Sequence, residues 1–194
     1  MLSKTANYLA RRLLNNNIIK EDSFDIYVYG FELLISFLFS TLLVIVSGII
    51  IGKLLETLTF LVVFIFLRSY SGGYHAKKYS ICTIVTLGIY AVVILLSSFI
   101  NVNVVSYLLL GIVGFTLLFL WAPIENPNKE ITNKRKIIYK WISILLFVIF
   151  LAVGILFIQL YPQISNIVFF TLCADVLLML PNKFKKGDKK DVIL

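Results

Sequence analysis

The chain reads as a succession of long apolar tracts separated by short polar ones. The apolar tracts cover about residues 27–48, 51–67, 81–100, 104–122, 141–160 and 164–180. Each is close to the roughly 20 residues a helix needs to cross a hydrocarbon core. They are apolar all round, unlike the one-sided stripe of a soluble amphipathic helix, and they predict six transmembrane helices. The first two form one continuous tract, divided around Ser47, Gly48, Gly52 and Lys53. The second is short and carries Glu56, so hydropathy supports it least. Asn101-Val102-Asn103 and Tyr161-Pro162-Gln163 leave only tight connections between spans three and four and between spans five and six.

The basic residues decide the doubtful span. Lys4, Arg11, Arg12 and Lys20 precede the first span, and Arg68, Lys77 and Lys78 follow the second. Lys129, Lys134, Arg135, Lys136 and Lys140 follow the fourth, and Lys183, Lys185, Lys186, Lys189 and Lys190 follow the sixth. In a six-span arrangement 17 of the 18 basic residues share one side, and Lys53 alone occupies the other. Removing the second span would scatter them over both sides. The positive-inside rule then makes the basic side, with both termini, cytoplasmic.

Residues 1–20 lack the compact apolar core of a cleavable signal peptide. Leu2, Ala6, Leu9, Leu13 and Ile18 keep a roughly helical spacing, which predicts an N-terminal amphipathic helix. It suits either the surface of an anionic inner leaflet or packing against the bundle.

Composition agrees with this class. The chain is 60% hydrophobic and 14% charged, with a mean hydropathy of +0.96, and it forms a single integral membrane domain over residues 1–194. A net charge of +8 would suggest nucleic acid, but its placement follows topology instead. Two cysteines, Cys82 and Cys173, are too few for a disulfide framework, and reduced thiols are expected.

One polar segment stands out. It runs from Arg68 through Gly72-Gly73 and His75, the sole histidine, to Cys82. A thiol and an imidazole beside a bilayer are the parts of an acyl-transfer site. On one straight helix the two would lie ~10 Å apart along the axis, so a direct pair needs a break. Gly72-Gly73 supplies flexibility, and Ser80 is a candidate N-cap for the third span. That would make Cys82 the second helical residue, where the helix N-terminus favours a thiolate. From spacing alone, an incidental histidine and cysteine at a membrane boundary is the commoner case. No compact spacing of His75, Cys82, Cys173 and Asp175 supports a metal site.

Arg68, Gly73, His75-Ala76 and Cys82 together resemble the signature of the accessory gene regulator B family, the membrane peptidases of bacterial peptide quorum sensing. Six spans in 194 residues, a basic fourth connection, Trp121-Ala122-Pro123, Leu177-Leu178 and Pro181 also fit. The resemblance implies a multi-pass protein of the bacterial cell membrane, with Cys82 as nucleophile, His75 as its partner, and Arg68 and Gly73 in support. It implies a short amphipathic propeptide with an acidic tail as substrate, and no cofactor. Cleavage would pass through an acyl-enzyme thioester to a cyclic thiolactone or lactone.

Two carboxylates, Glu32 and Asp175, fall inside apolar spans at the depth expected for Cys82. Such groups are costly in a bilayer and often functional, and either is a candidate to orient His75. Lys134, Arg135 and Lys136 are candidates to draw in the acidic tail. Anionic lipid is a further expected partner, and a homodimer is left open. The rival readings are a small transporter or peptide exporter without peptidase activity, and a membrane scaffold.

Overall fold

The computed structural model describes residues 2–72, 79–124 and 132–179. These form seven α-helices: α1 (Leu2–Asn15), α2 (Phe24–Ile50), α3 (Leu54–Ser71), α4 (Tyr79–Phe99), α5 (Val104–Trp121), α6 (Asn133–Leu160) and α7 (Pro162–Met179). The fold is all-α, because a bilayer offers no partner for backbone groups and a helix satisfies them internally. Helices α2 to α7 are each long and apolar enough to cross a membrane, including the doubtful second span.

Local chemistry sets several of the helix boundaries. At the α2–α3 junction Gly52 takes a positive φ of 69°. Its N–H donates to Ile49 and that of Lys53 to Gly48, a Schellman turn that stops α2 and reverses the chain. Asn103 caps α5 by accepting from the Ser106 N–H, and Pro162 opens α7, where its missing N–H costs nothing. Helix α6 has 28 residues, beginning eight before the predicted span. At ~1.5 Å per residue it is ~42 Å long, so its first turns project beyond a ~30 Å core. The basic residues Lys134, Arg135, Lys136 and Lys140 are therefore helical rather than part of a loop.

Helix α7 is the central post. Half of its residues are buried, the largest share of the six, although it is the least apolar of them. On one side Val63 and Leu67 of α3 join Leu110 and Leu118 of α5, Phe147 of α6, and Leu172 and Val176 of α7. On the other, Phe60 and Phe64 of α3 meet Val44 of α2, Tyr90 and Val93 of α4, and Ile167 of α7. With no hydrophobic drive between helices in lipid, close approach depends on small residues. Gly154 of α6 leaves room for the Tyr107 ring and Gly114 of α5 for Phe147, and a Cβ at either would collide. The buried face of α2 is Ser36, Ser40, Val44 and Gly48, one residue per turn.

Helix α1 packs against α2 through Ala6 and Ala10, both fully buried. Packing on the bundle, one of the two sequence readings, is therefore present. Tyr8 and Ile18 remain exposed.

Candidate functional site

The helices alternate in direction, so their termini gather at two ends. At one end Lys53, at the start of α3, donates to Ser98 near the end of α4. There Asn166, near the start of α7, accepts from the Val102 N–H at 3.0 Å and donates to the Ser97 carbonyl. At the opposite end lie the C-terminus of α3, the start of α4, the end of α5, the start of α6 and the end of α7. This second end holds Arg68, Cys82, Lys134, Arg135, Lys136 and Asp175.

Cys82 sits on the first turns of α4, a free and half-buried thiol. Ser80 is not the N-cap, since the helix is already formed at Tyr79. Cys82 is thus at least its fourth residue, though still in its first turns. Next to it is a hydrogen bond that the sequence did not reveal. Ser40 Oγ on α2 lies 2.8 Å from Thr83 Oγ1 while donating to the Ser36 carbonyl. Cys82 adjoins Thr83, and its own carbonyl accepts from Thr86 Oγ1 at 3.0 Å. This pairing ties α4 to α2 one residue from Cys82.

A second clamp holds the end of α3. Gly72 has a φ of 73°, its N–H donates to the Arg68 carbonyl, and the Ile124 N–H donates to Ser71 at 3.0 Å. A Cβ on Gly72 would strike the Ile124 backbone. Within this polar segment, Gly72 is thus a glycine with a structural demand of its own. Gly73 and His75, singled out by the sequence, lie outside the described residues, as do Ala76, Lys129 and Pro181.

The structure separates the two carboxylates. Asp175 on α7 is 4% exposed, and its Oδ2 has no hydrogen-bond partner among the described residues. The charge of Arg68 acts on it, so these two candidates are brought together. Arg68 also stacks over Phe64, 5.3 Å from the ring centroid. Glu32 on α2 is only half-buried. A charge taken out of water is costly unless paired and hydrogen-bonded, so an open acceptor atom in such a place calls for a function.

Lys134, Arg135 and Lys136 occupy the first turn of α6, which contains no acidic residue. Cations there oppose the helix dipole, at about 0.3–1 kcal/mol each. Lys134 and Arg135 are exposed and Lys136 is half-buried. Nearby, Lys140 lies 4.0 Å above the Phe119 ring, and Tyr70 meets Tyr139 edge-on. Among the described residues no group of three His, Cys, Asp or Glu could hold a metal ion. Cys173 packs against the α5–α6–α7 core.

The accessory gene regulator B family model matches residues 3–179. AgrB-like protein 2 of Clostridium perfringens strain 13 is 30% identical over 83% of this chain and 79% of its own length. An AgrB-like protein of Clostridium perfringens strain SM101 is 32% identical over 79% and 78% of the two chains. Protein FsrB of Enterococcus faecalis is 26% identical over 79% of this chain and 63% of its own. No solved structure matches the chain significantly.

Proposed function

The chain belongs to the accessory gene regulator B family of multi-pass bacterial membrane proteins, and on that premise we propose that it is a cysteine endopeptidase for a quorum-sensing propeptide. Membership supports a part in propeptide processing. The observation that carries the chemistry is the position of Cys82. It is a reduced, partly accessible thiol at the end of the bundle that also holds a buried carboxylate and a cationic helix start.

In this reading the propeptide lies on the cytoplasmic leaflet, with its acidic tail drawn to Lys134, Arg135 and Lys136. His75 takes the proton from Cys82 Sγ as sulfur attacks the scissile carbonyl. Collapse of the tetrahedral intermediate breaks the C–N bond, and the leaving amine carries away the proton from His75, leaving a thioester. A cysteine or serine of the same peptide then attacks that thioester. The new bond closes a thiolactone or lactone ring and returns the Cys82 thiol. An internal nucleophile has the advantage of effective concentration over water.

Asp175 is a positioning residue, its open Oδ2 accepting from the His75 imidazole while Arg68 balances its charge. Burial favours it over Glu32 for this role, because a half-exposed carboxylate is screened by solvent. Gly73 would let the segment before α4 fold back.

Propeptide cleavage in membranes tests the reading directly. Cys82→Ala and His75→Ala should abolish it while leaving the protein inserted, and Cys173→Ser should retain it. Intact mass measurement should find the acyl adduct on Cys82. Cleavage by Cys82→Ala at the normal rate would overturn the mechanism and favour a non-enzymatic exporter. Reporter fusions after residues 78, 130 and 190 should read as cytoplasmic, and fusions near 102 and 162 as external.

A further inference from the structure

Away from that end, an open lateral groove of about 620 Å³ lies between α2 and α4. Ser40 and Thr83 tie the two helices together at the Cys82 end. Toward Lys53 they share a core of Val44, Tyr90 and Val93 and are backed by α3, where Gly48 rests on Thr57 and Thr57 Oγ1 meets Tyr90 Oη at 2.7 Å. The space between them faces outward. Its walls include Ile51, Leu87, Ala91, Leu95, Ser98 and Phe99. Ile51, Leu95 and Phe99 are largely exposed. From Leu87 to Phe99 the groove runs ~18 Å along α4, a little more than the ~15 Å depth of one leaflet's hydrocarbon.

The end of the groove is polar. Ser98 lines it and accepts from the Lys53 ammonium while donating to the Ile94 carbonyl at 2.7 Å. An ammonium has three donors, so Lys53 has two left for an external anion. Lys53 and Glu56 are the sole charged residues between Glu32 and Arg68, and among the described residues Lys53 is the one cation at its end of the bundle. An apolar slot of leaflet depth, closed by a cation at the interface, matches one amphiphile in shape and charge.

We propose that this groove binds an anionic phospholipid, with one acyl chain between α2 and α4 and its phosphate on Lys53. The site does not depend on the peptidase reading, since it involves none of the residues placed in the chemistry.

The test is native mass spectrometry of the full chain in detergent, titrated with phosphatidylglycerol and with phosphatidylcholine of the same acyl chains. One phosphatidylglycerol should be retained in preference to phosphatidylcholine. Lys53→Gln should weaken it about fivefold, the worth of one lysine charge at a lipid surface, and Ala91→Trp should displace it by filling the slot. A phosphatidylglycerol with a photoreactive acyl chain should label residues 87–99, which distinguishes this site from lipid gathered at the basic end. Equal retention of the two lipids, unchanged binding by Lys53→Gln, or labelling confined to the basic end would overturn the proposal. So would disulfide-linked dimers of Leu95→Cys whose formation the lipid does not suppress, because a second copy would then occupy the groove.

Discussion

At the Lys53 end Tyr107, Ser165 and Asn166 are buried and hydrogen-bonded, whereas at the other end Asp175 is as deeply buried and one of its oxygens has no partner among the described residues. Tyr107 donates to the Ser165 carbonyl at 2.6 Å, and Ser165 Oγ donates to the Gly154 carbonyl at 2.8 Å. Asn166 ties the start of α7 to the α4–α5 connection through both atoms of its amide. Satisfied polar groups in a bilayer hold helices together. An unsatisfied carboxylate does the opposite unless something else uses it. The same central helix thus carries an anchor at one end and an open acceptor at the other.

This contrast can be broken by substitution. The largest effect is expected from Asp175→Asn. It should lower the rate of propeptide cleavage on the order of a hundredfold, in the range of general acid–base contributions, with little change in apparent KM or thermal stability. Normal turnover by both Asp175→Asn and Glu32→Gln would make the site a Cys82–His75 dyad with no third member. Asn166→Ala should do the reverse. It leaves the Val102 N–H without its partner, so stability should fall by about 1–3 kcal/mol in a denaturation assay, with specific activity of the folded protein preserved.

Gly154→Ala sharpens the anchor side. The added methyl meets the Tyr107 ring and hydroxyl, and overpacking of this kind costs about 1–3 kcal/mol. Replacing it together with Tyr107→Phe should cost less than the sum, if the two residues form one unit. The smallest effect should come from Lys134→Gln, Arg135→Gln and Lys136→Gln combined. Apparent KM should rise by a few-fold at low ionic strength and by less in salt, since exposed charges are screened within about 10 Å at 0.1 M.

The spans were legible because bilayer thickness fixes their length, and α3 was recoverable because positive charge reports sidedness when hydropathy is weak. The order of packing was not. Apolarity reports that a helix crosses a membrane, not which neighbours it meets, so nothing marked α7 as the centre. Ser40 and Thr83 were hidden for a related reason: a hydroxyl that can bond to the carbonyl one turn back is tolerated in an apolar helix without a tertiary role. The four-residue spacing of Ser36, Ser40, Val44 and Gly48 was the available signal. At the candidate site, Cys82 and Arg68 became candidates through a family pattern, and Asp175 through the cost of its charge. Distinguishing Asp175 from Glu32 required knowing what surrounds each.

The central position of α7 also constrains how the protein is made. It follows the other six helices in the chain, so α2 to α6 leave the ribosome before the helix that joins their two cores exists. Until then Phe60, Tyr90 and Phe147 lack part of their enclosure, and the hydroxyl of Tyr107 lacks its acceptor on Ser165. Because α7 is the least apolar of the spans, its entry into the membrane is helped by partners already waiting there. Assembly is therefore completed in one late step, and a nascent chain short of Pro162 offers the cell's quality-control proteases an unfinished bundle.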